Sequence, residues 1–502
     1  MLFRSVAGYS YQTSTYRIIN AGASGFSNDI LKNENLAAGS TTYPIQTSRT
    51  EDLLSSYFIR LNNVYNDKYI VTFTGRYDGS SKFTKGNQWS FFPSGAVSWR
   101  LSQEDFLKNV KNLSDLKLRV SYGLSGNQAV ASLQTKSLLG FNQYPYGGIL
   151  QTGVYPAVLG NPALKWETTK QLNIGLDFGF WNQRLTGSIN YYVKNTDDLL
   201  QFLPLPANSG YTNQLNNVGS ISNKGIELEL RGVVVNTKDF KWDINANIAS
   251  NKQKITNLGR GNVDTLLVRF DVVGGSGAYT ALIKNQPVGL FYGYVSDGLF
   301  RSDAELAKGP AISGSKVGTR RFKDLNGDGQ INDKDRRVIG DPNPDFTFGI
   351  ANNFSYKGFD LNFLLQGSVG GDMWNLGDYI QERLGNRSKA ANDYFTSTNT
   401  NAKYAAPGQQ VGIDNHSDFS LQSASFMRLK SLNLGYNLPA GTIKLVRSIR
   451  VYASATNLFT ISKYAGYDPE VNSFAQSNLF RNIDILSIPL YKTYTIGLNV
   501  GF

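Results

Sequence analysis

Apolar and polar residues alternate along most of this chain, with a period of two rather than 3.6. Leu172, Ile174, Leu176, Phe178 and Phe180 alternate with Asn173, Gly175, Asp177 and Gly179. Leu185, Gly187, Ile189, Tyr191 and Val193 do the same against Arg184, Thr186, Ser188, Asn190 and Tyr192. The same beat runs through Leu116 to Leu124, and through Trp242, Ile244, Ala246 and Ile248. It predicts fourteen strands, near 4–14, 54–63, 68–78, 90–101, 114–125, 170–181, 183–194, 223–232, 240–250, 346–357, 359–368, 426–437, 447–457 and 491–502. At roughly 9–12 residues they exceed the soluble average of about 5–6 and match the 9–11 of a tilted membrane-spanning strand. The expected fold is therefore all-β, an antiparallel transmembrane β-barrel.

Connection lengths alternate as well. Val64 to Asp67, Trp181–Asn182, Gly232 to Asp239 and Lys357–Gly358 are short; 15–53, 126–169, 195–222, 251–345, 369–425 and 458–490 are long. A twelve-residue stretch at 102–113 and a modest one at 79–89 fit less well. Outer-membrane barrels have short periplasmic turns and long external loops, so fourteen strands place the C-terminus on the periplasmic side. The last strand alternates Tyr494, Ile496, Leu498, Val500 and Phe502 with Thr495, Gly497, Asn499 and Gly501. A terminal amphipathic strand ending in Phe resembles the assembly signal of bacterial outer-membrane proteins. Met1 to Ser10 lacks the pattern of a signal peptide, so a mature or truncated chain is expected.

Composition narrows the chemistry. The 502 residues contain no Cys, one His and three Met, which excludes disulfides, thiolate metal sites, cysteine nucleophiles and multi-imidazole centres. Mean hydropathy is −0.29 and no apolar run approaches 18 residues, so no transmembrane helix is expected. The net charge of +12 comes from Lys and Arg scattered along strands, as at Lys117, Arg119, Arg184 and Arg231. Scattered cations suit a solvated, cationic lumen face better than nucleic acid, for which a clustered basic patch is expected. Aromatics make up 13% of the chain. Tyr69, Tyr77, Trp99, Trp181, Tyr191 and Trp242, near strand ends, fit interfacial girdles, while Tyr144, Tyr146, Tyr155 and Tyr211 suit either sugar stacking or loop packing.

Several segments resemble the SusC/RagA-type TonB-dependent transporters of Bacteroidetes outer membranes. They are Arg76-Tyr77-Asp78-Gly79-Ser80-Ser81-Lys82-Phe83, Phe92-Pro93-Ser94 with Trp99-Arg100, and Ser121-Tyr122-Gly123 through Gly126-Asn127. Next come Asn161-Pro162 with Lys165-Trp166-Glu167, Asn223-Lys224-Gly225-Ile226-Glu227, and Asp324 to Gly329. Ser425 to Lys430, Asn457-Leu458-Phe459 and Tyr467-Asp468-Pro469-Glu470 complete the set. Their order and spread carry the resemblance across nearly the whole chain. It implies the later strands of a 22-stranded barrel about twice this length, the N-terminal plug being absent here. It further implies import of oligosaccharides or peptides, a SusD-like surface lipoprotein, and energy from TonB–ExbB–ExbD acting through the plug. Such a protein is not an enzyme and needs no catalytic residues. A passive outer-membrane porin and a secreted carbohydrate-binding β protein remain as alternatives.

Two chemical candidates stand out. Asp324, Asn326, Asp328, Gln330 and Asp335, with Gly329 at the sharp turn, match D-x-N-x-D-G-x-I-x-x-x-D, an EF-hand-like calcium loop within 251–345. Oxygen donors at positions 1, 3 and 5, a carbonyl at 7 and a carboxylate at 12 suit Ca²⁺, although Asp335 is shorter than the usual Glu. His416 lies in the polar run Asp414-Asn415-His416-Ser417-Asp418, without a nucleophile elbow. It is expected to be a solvated loop histidine.

Overall fold

The computed structural model describes residues 2–30, 34–259, 263–272, 277–378, 380, 389–407, 416–439, 443, 446–475 and 477–502. One sheet of fourteen strands dominates, and the strands follow each other across it in chain order. They are β1 (Leu2–Ser24), β2 (Thr41–Tyr65), β3 (Tyr69–Ser80), β4 (Trp89–Arg100), β5 (Leu113–Asn127), β6 (Glu167–Phe180) and β7 (Leu185–Asp197). The second half comprises β8 (Ser220–Asn236), β9 (Phe240–Asn257), β10 (Phe346–Tyr356), β11 (Phe359–Val369), β12 (Phe426–Asn437), β13 (Ser448–Ser462) and β14 (Thr493–Gly501). Each overlaps one strand expected from the alternation. Within the sheet β1 and β14 have a single neighbour each.

The short connections are tight because their residues accept left-handed backbone. Asn66 and Asp67 have φ of 48° and 57°, and Lys357 and Gly358 have 45° and 90°. Positive φ at both central positions is the twist that joins antiparallel strands without splaying them. Register then sorts side chains by face. In β2 and β3, Tyr57 lies opposite Tyr77 and Leu61 opposite Phe73. Ile59, Phe73 and Phe91 on this face are 43%, 43% and 53% exposed, an apolar surface that water would penalise and hydrocarbon would not. The other face is polar: Asn62 donates to Thr72 at 2.7 Å and Arg76 to Ser56 at 2.7 Å.

The chain clusters into two compact units. The first holds residues 1–97, 121–172 and 195–220; the second holds 98–120, 173–194 and 221–502. The expected loop 15–53 is corrected: β1 and β2 run on as one hairpin whose register extends from Leu2↔Val64 to Ser24↔Thr41, leaving 25–40 as the connection. Thr13 to Arg17 and Thr47 to Glu51 are polar on both faces, so no alternation marks them as strand. The other long connections carry small sheets of their own.

Candidate functional site: loops that pack and loops that do not

In the second unit the long connections assemble a core. Strand 372–375 pairs antiparallel with 421–423 and parallel with 483–484, joining the segments 369–425 and 458–490. Trp374 is fully buried, and Phe270, Phe291, Leu376 and Ile483 pack with it. Its indole N–H donates to the Ser420 hydroxyl at 3.1 Å, so the one polar atom of the ring is satisfied. His416 is corrected here: it is 3% exposed and meets Trp374 edge-on at 5.9 Å. Its backbone carbonyl also accepts from Tyr294 N–H at 3.0 Å. Asp414 and Asn415 lie outside the described residues.

Buried polar groups tie this core to the strands below it. Arg428 on β12 is 2% exposed; it pairs with buried Asp468, and with Glu470 at 2.7 Å, and donates to Thr460 at 2.9 Å. Two of the motifs that carry the family resemblance thus meet as one ion-pair cluster. The Tyr464 hydroxyl donates to Asp484 at 2.6 Å, and burial together with that carboxylate pushes the phenol up from its ordinary value. Asp378 receives bonds from Lys403 at 3.3 Å, Tyr404 at 3.0 Å and Gln422 at 3.0 Å. Burial opposes the Lys403 charge, but Asp378 outweighs it and holds the ammonium above its usual range.

The acidic loop 324–335 is built from its own amides. Asp324 accepts from Gly327 N–H at 2.7 Å and Gly329 N–H at 2.8 Å, and Asp328 accepts from Gln330 N–H at 2.9 Å. Asn326 donates to Asp328 at 2.9 Å, a bond that with the Gln330 amide holds this carboxyl below the usual range. These oxygens, with the Gln330 carbonyl, are the donor types a hard cation takes. Asp335 does something different: it is fully buried and caps the turn by accepting from Leu325 N–H at 2.9 Å and Asn332 N–H at 2.8 Å. Among the described residues, no three His, Cys, Asp or Glu side chains are grouped to hold a metal.

In the first unit, residues 126–169 and 195–220 lean on a smaller core. Phe83, Phe92, Val130, Leu164, Trp166 and Leu215 pack together, and Trp166 donates to the Gln88 carbonyl at 3.0 Å. Glu167 accepts from Leu200 N–H at 2.8 Å and from Asn127 at 2.6 Å, while Asn161 donates to the Leu215 carbonyl at 2.9 Å. The motif residues Asn161, Trp166 and Glu167 are therefore loop anchors. Beyond them a hairpin, Leu138–Tyr146 with Ile149–Val158, turns at Gly147 and Gly148, whose φ values of 60° and 81° suit glycine. Phe141, Tyr146, Ile149 and Leu150 on it are 71%, 72%, 66% and 67% exposed.

On the polar face of the second unit several strand cations are paired with carboxylates. Lys117 and Arg119 on β5 reach Asp177 on β6 at 2.7 Å and 2.5 Å, and Arg450 on β13 reaches Asp360 on β11 at 2.6 Å. Arg184 instead donates to the Val233 and Val234 carbonyls at 3.3 Å and 3.0 Å. Arg231 borders a cavity of about 490 Å³ beside Asp177, Glu229 and Asn245. At the paired positions opposite charges offset one another.

A fourteen-stranded antiparallel sheet with one apolar exposed face, one ion-paired face and folded loops on the long connections defines a β-barrel wall. The chain belongs to the family described as TonB dependent receptor-like, beta-barrel, which it matches over residues 3–458. It is SusC/RagA-like. TonB-dependent receptor P3 of Formosa agariphila is 37% identical over 99% of this chain and 50% of its own length. TonB-dependent receptor SusC of Bacteroides thetaiotaomicron is 34% identical over 90% of this chain and 44% of its own. The structure of the RagAB peptide transporter superposes with a TM-score of 0.82 at 28% identity, covering all of this chain and 53% of that one. The chain spans about half the length of these relatives. They are receptors and transporters, not enzymes.

Proposed function

We propose that the chain forms wall strands and external loops of a bacterial outer-membrane importer for oligosaccharides or peptides. On this reading its C-terminus is periplasmic and its apolar face meets outer-membrane lipid. A SusD-like surface lipoprotein closes over the loops, and TonB–ExbB–ExbD supplies energy through a plug. The observation that supports it best is the division of the sheet into an exposed apolar face and an ion-paired polar face, with packed loops on the long connections. Similarity to a structure described as a peptide transporter supports the peptide class, and the oligosaccharide class rests on the motif resemblance alone. The test is uptake of labelled oligosaccharides and of labelled peptides by cells with and without the full-length gene. One class should enter only when the gene is present, and collapsing the proton-motive force should stop it. Uptake that persists after collapse would instead support a passive pore.

Within this reading Asp324, Asn326, Asp328 and the Gln330 carbonyl hold Ca²⁺ and stiffen the segment 251–345. Asp335 adds an oxygen only by sharing it with the amides it already caps. Proteolysis of 251–345 should slow in Ca²⁺ relative to chelator, and equal rates would refute it.

A further inference from the structure

We propose that the lipid-facing surface carries a cleft for a phosphorylated lipid headgroup, formed by Lys224, Lys252 and Lys254. It rests on the outer-membrane reading above. The faces of β8 and β9 are fixed by a close approach: a Cβ on Gly232 would lie 3.2 Å from Ile244 Cγ2, so these positions share a face. Counting by twos, that face carries Leu230, Leu228, Ile226 and Lys224 on β8. On β9 it carries Ala246, Ile248, Ser250, Lys252 and Lys254. Ile221 and Ile255, of opposite parity, turn the other way and pack with Leu282 in a loop core.

The lysines stand where the apolar band ends. Trp242, stacked on Phe354 at 5.3 Å beside the short turn, marks its lower edge. Lys252 is ten residues further along β9, roughly 33 Å of strand at ~3.3 Å per residue. Tilted about 40°, that is about 25 Å of height, the thickness of the apolar band of an outer-membrane barrel. The three ammonium groups thus reach the level of outer-leaflet headgroups, while Ile226 and Tyr191, 52% and 42% exposed, lie just below among the acyl chains.

Charge favours an anion here. Stepping eight residues from Gly232 and from Ile244 brings Lys224 opposite Lys252, and like charges facing each other across strands destabilise a sheet. All three lysines are exposed, and among the described residues no carboxylate lies within ion-pair distance of any of them. Lys117 on β5 and Lys170 on β6, by contrast, find partners at 2.7 Å and 3.2 Å. Lys224, Lys252 and Lys254 line a cleft of about 560 Å³ with Tyr191, Ile226 and Ser250. Three cations above an apolar floor fit a phosphate attached to acyl chains better than a free phosphate ion.

The test uses full-length protein extracted from outer membranes in mild detergent, with bis-phosphorylated lipid A as probe and bound copies counted by native mass spectrometry. One lysine near a membrane surface is worth about fivefold in affinity, so K224Q/K252Q/K254Q should weaken retention on the order of a hundredfold. K224R/K252R/K254R should restore it and controls for folding, and excess inorganic phosphate should not displace the lipid. Unchanged retention in the Gln variant, or ready displacement by inorganic phosphate, would overturn the proposal. A lipophilic photoprobe should label Tyr191 and spare Tyr192 on the opposite face. Labelled Tyr191 with unchanged retention defeats only the cleft; labelling confined to Tyr192 defeats the membrane reading and the cleft with it.

Discussion

Two sets of long connections in this chain end in opposite states. In the second unit, segments 251–345, 369–425 and 458–490 together bury Trp374, Leu376 and Ile483 completely and satisfy nearby polar groups with Ser420, Asp484 and Asp378. In the first unit, the hairpin 138–158 holds its register through backbone bonds, yet Phe141, Val154 and Leu150 stay 71%, 58% and 67% exposed. An isolated two-stranded hairpin is marginal in water, because it cannot bury enough surface to offset its ordering entropy. Three segments that converge can build a core; one that folds back on itself cannot. The first kind of loop is a finished structure, and the second leaves its apolar surface exposed.

The largest effect should come from opening the finished core. Trp374→Ala removes a fully buried indole and leaves a cavity beside Phe270 and Phe291. The loss should be about 3–5 kcal/mol of local stability. Hydrogen exchange at 372–375 and 421–423 should accelerate by orders of magnitude, while strands β1 to β3 keep their protection. Phe141→Ala on the hairpin, treated the same way, should change exchange by no more than about 0.5 kcal/mol. Equal sensitivity of the two sites would erase the contrast.

A smaller effect separates the two regions by pH. Tyr464, Tyr404 and Lys403 in the packed loops all have raised proton affinities: burial lifts both phenols, and Asp378 outweighs burial at the ammonium. A group whose pKa rises on folding lends stability that is complete below its unfolded pKa and disappears as pH climbs through the folded one. With ordinary values of 10.0 for tyrosine and 10.5 for lysine, the packed loops should hold their protection up to about pH 10 and lose it above. Tyr464→Phe removes one of these contributions and the bond to Asp484, at a cost of about 1.5–3 kcal/mol, and should flatten the alkaline slope. A slope unchanged in that variant would detach the effect from Tyr464.

How far each region could be read from sequence follows the same division. Membrane-facing strands write themselves in period two, so all fourteen were legible, down to the turns at Asn66–Asp67 and Lys357–Gly358. The outer halves of β1 and β2 were not, because Thr13 to Arg17 is polar on either face. The loop core was illegible for a different reason. Its strands are two to seven residues long and its partners distant, as with Trp374 and Ile483, so no local pattern announces them. His416 shows this most clearly: polar neighbours on both sides in sequence suggest solvent, and Trp374, forty-two residues earlier, supplies the burial. Arg428 with Asp468 and Glu470 lay between the two cases, since the opposite charges of two motifs were visible but their meeting was not.

The smallest effect on stability should carry the largest effect on association. Phe141→Lys with Leu150→Lys places two charges on surface that is already solvated, at 71% and 67% exposure, so the strand register and the melting behaviour should hold within about 0.5 kcal/mol. If the hairpin is a contact for a surface lipoprotein, the same charges would be forced into an apolar interface, where an unpaired ammonium is expensive. Co-purification of the full-length protein with the proposed SusD-like lipoprotein should then fall by tenfold or more, while uncharged changes such as Phe141→Leu leave it intact. Association that survives both lysines would move the docking surface elsewhere, and would leave the exposed hairpin without the role its unburied side chains suggest.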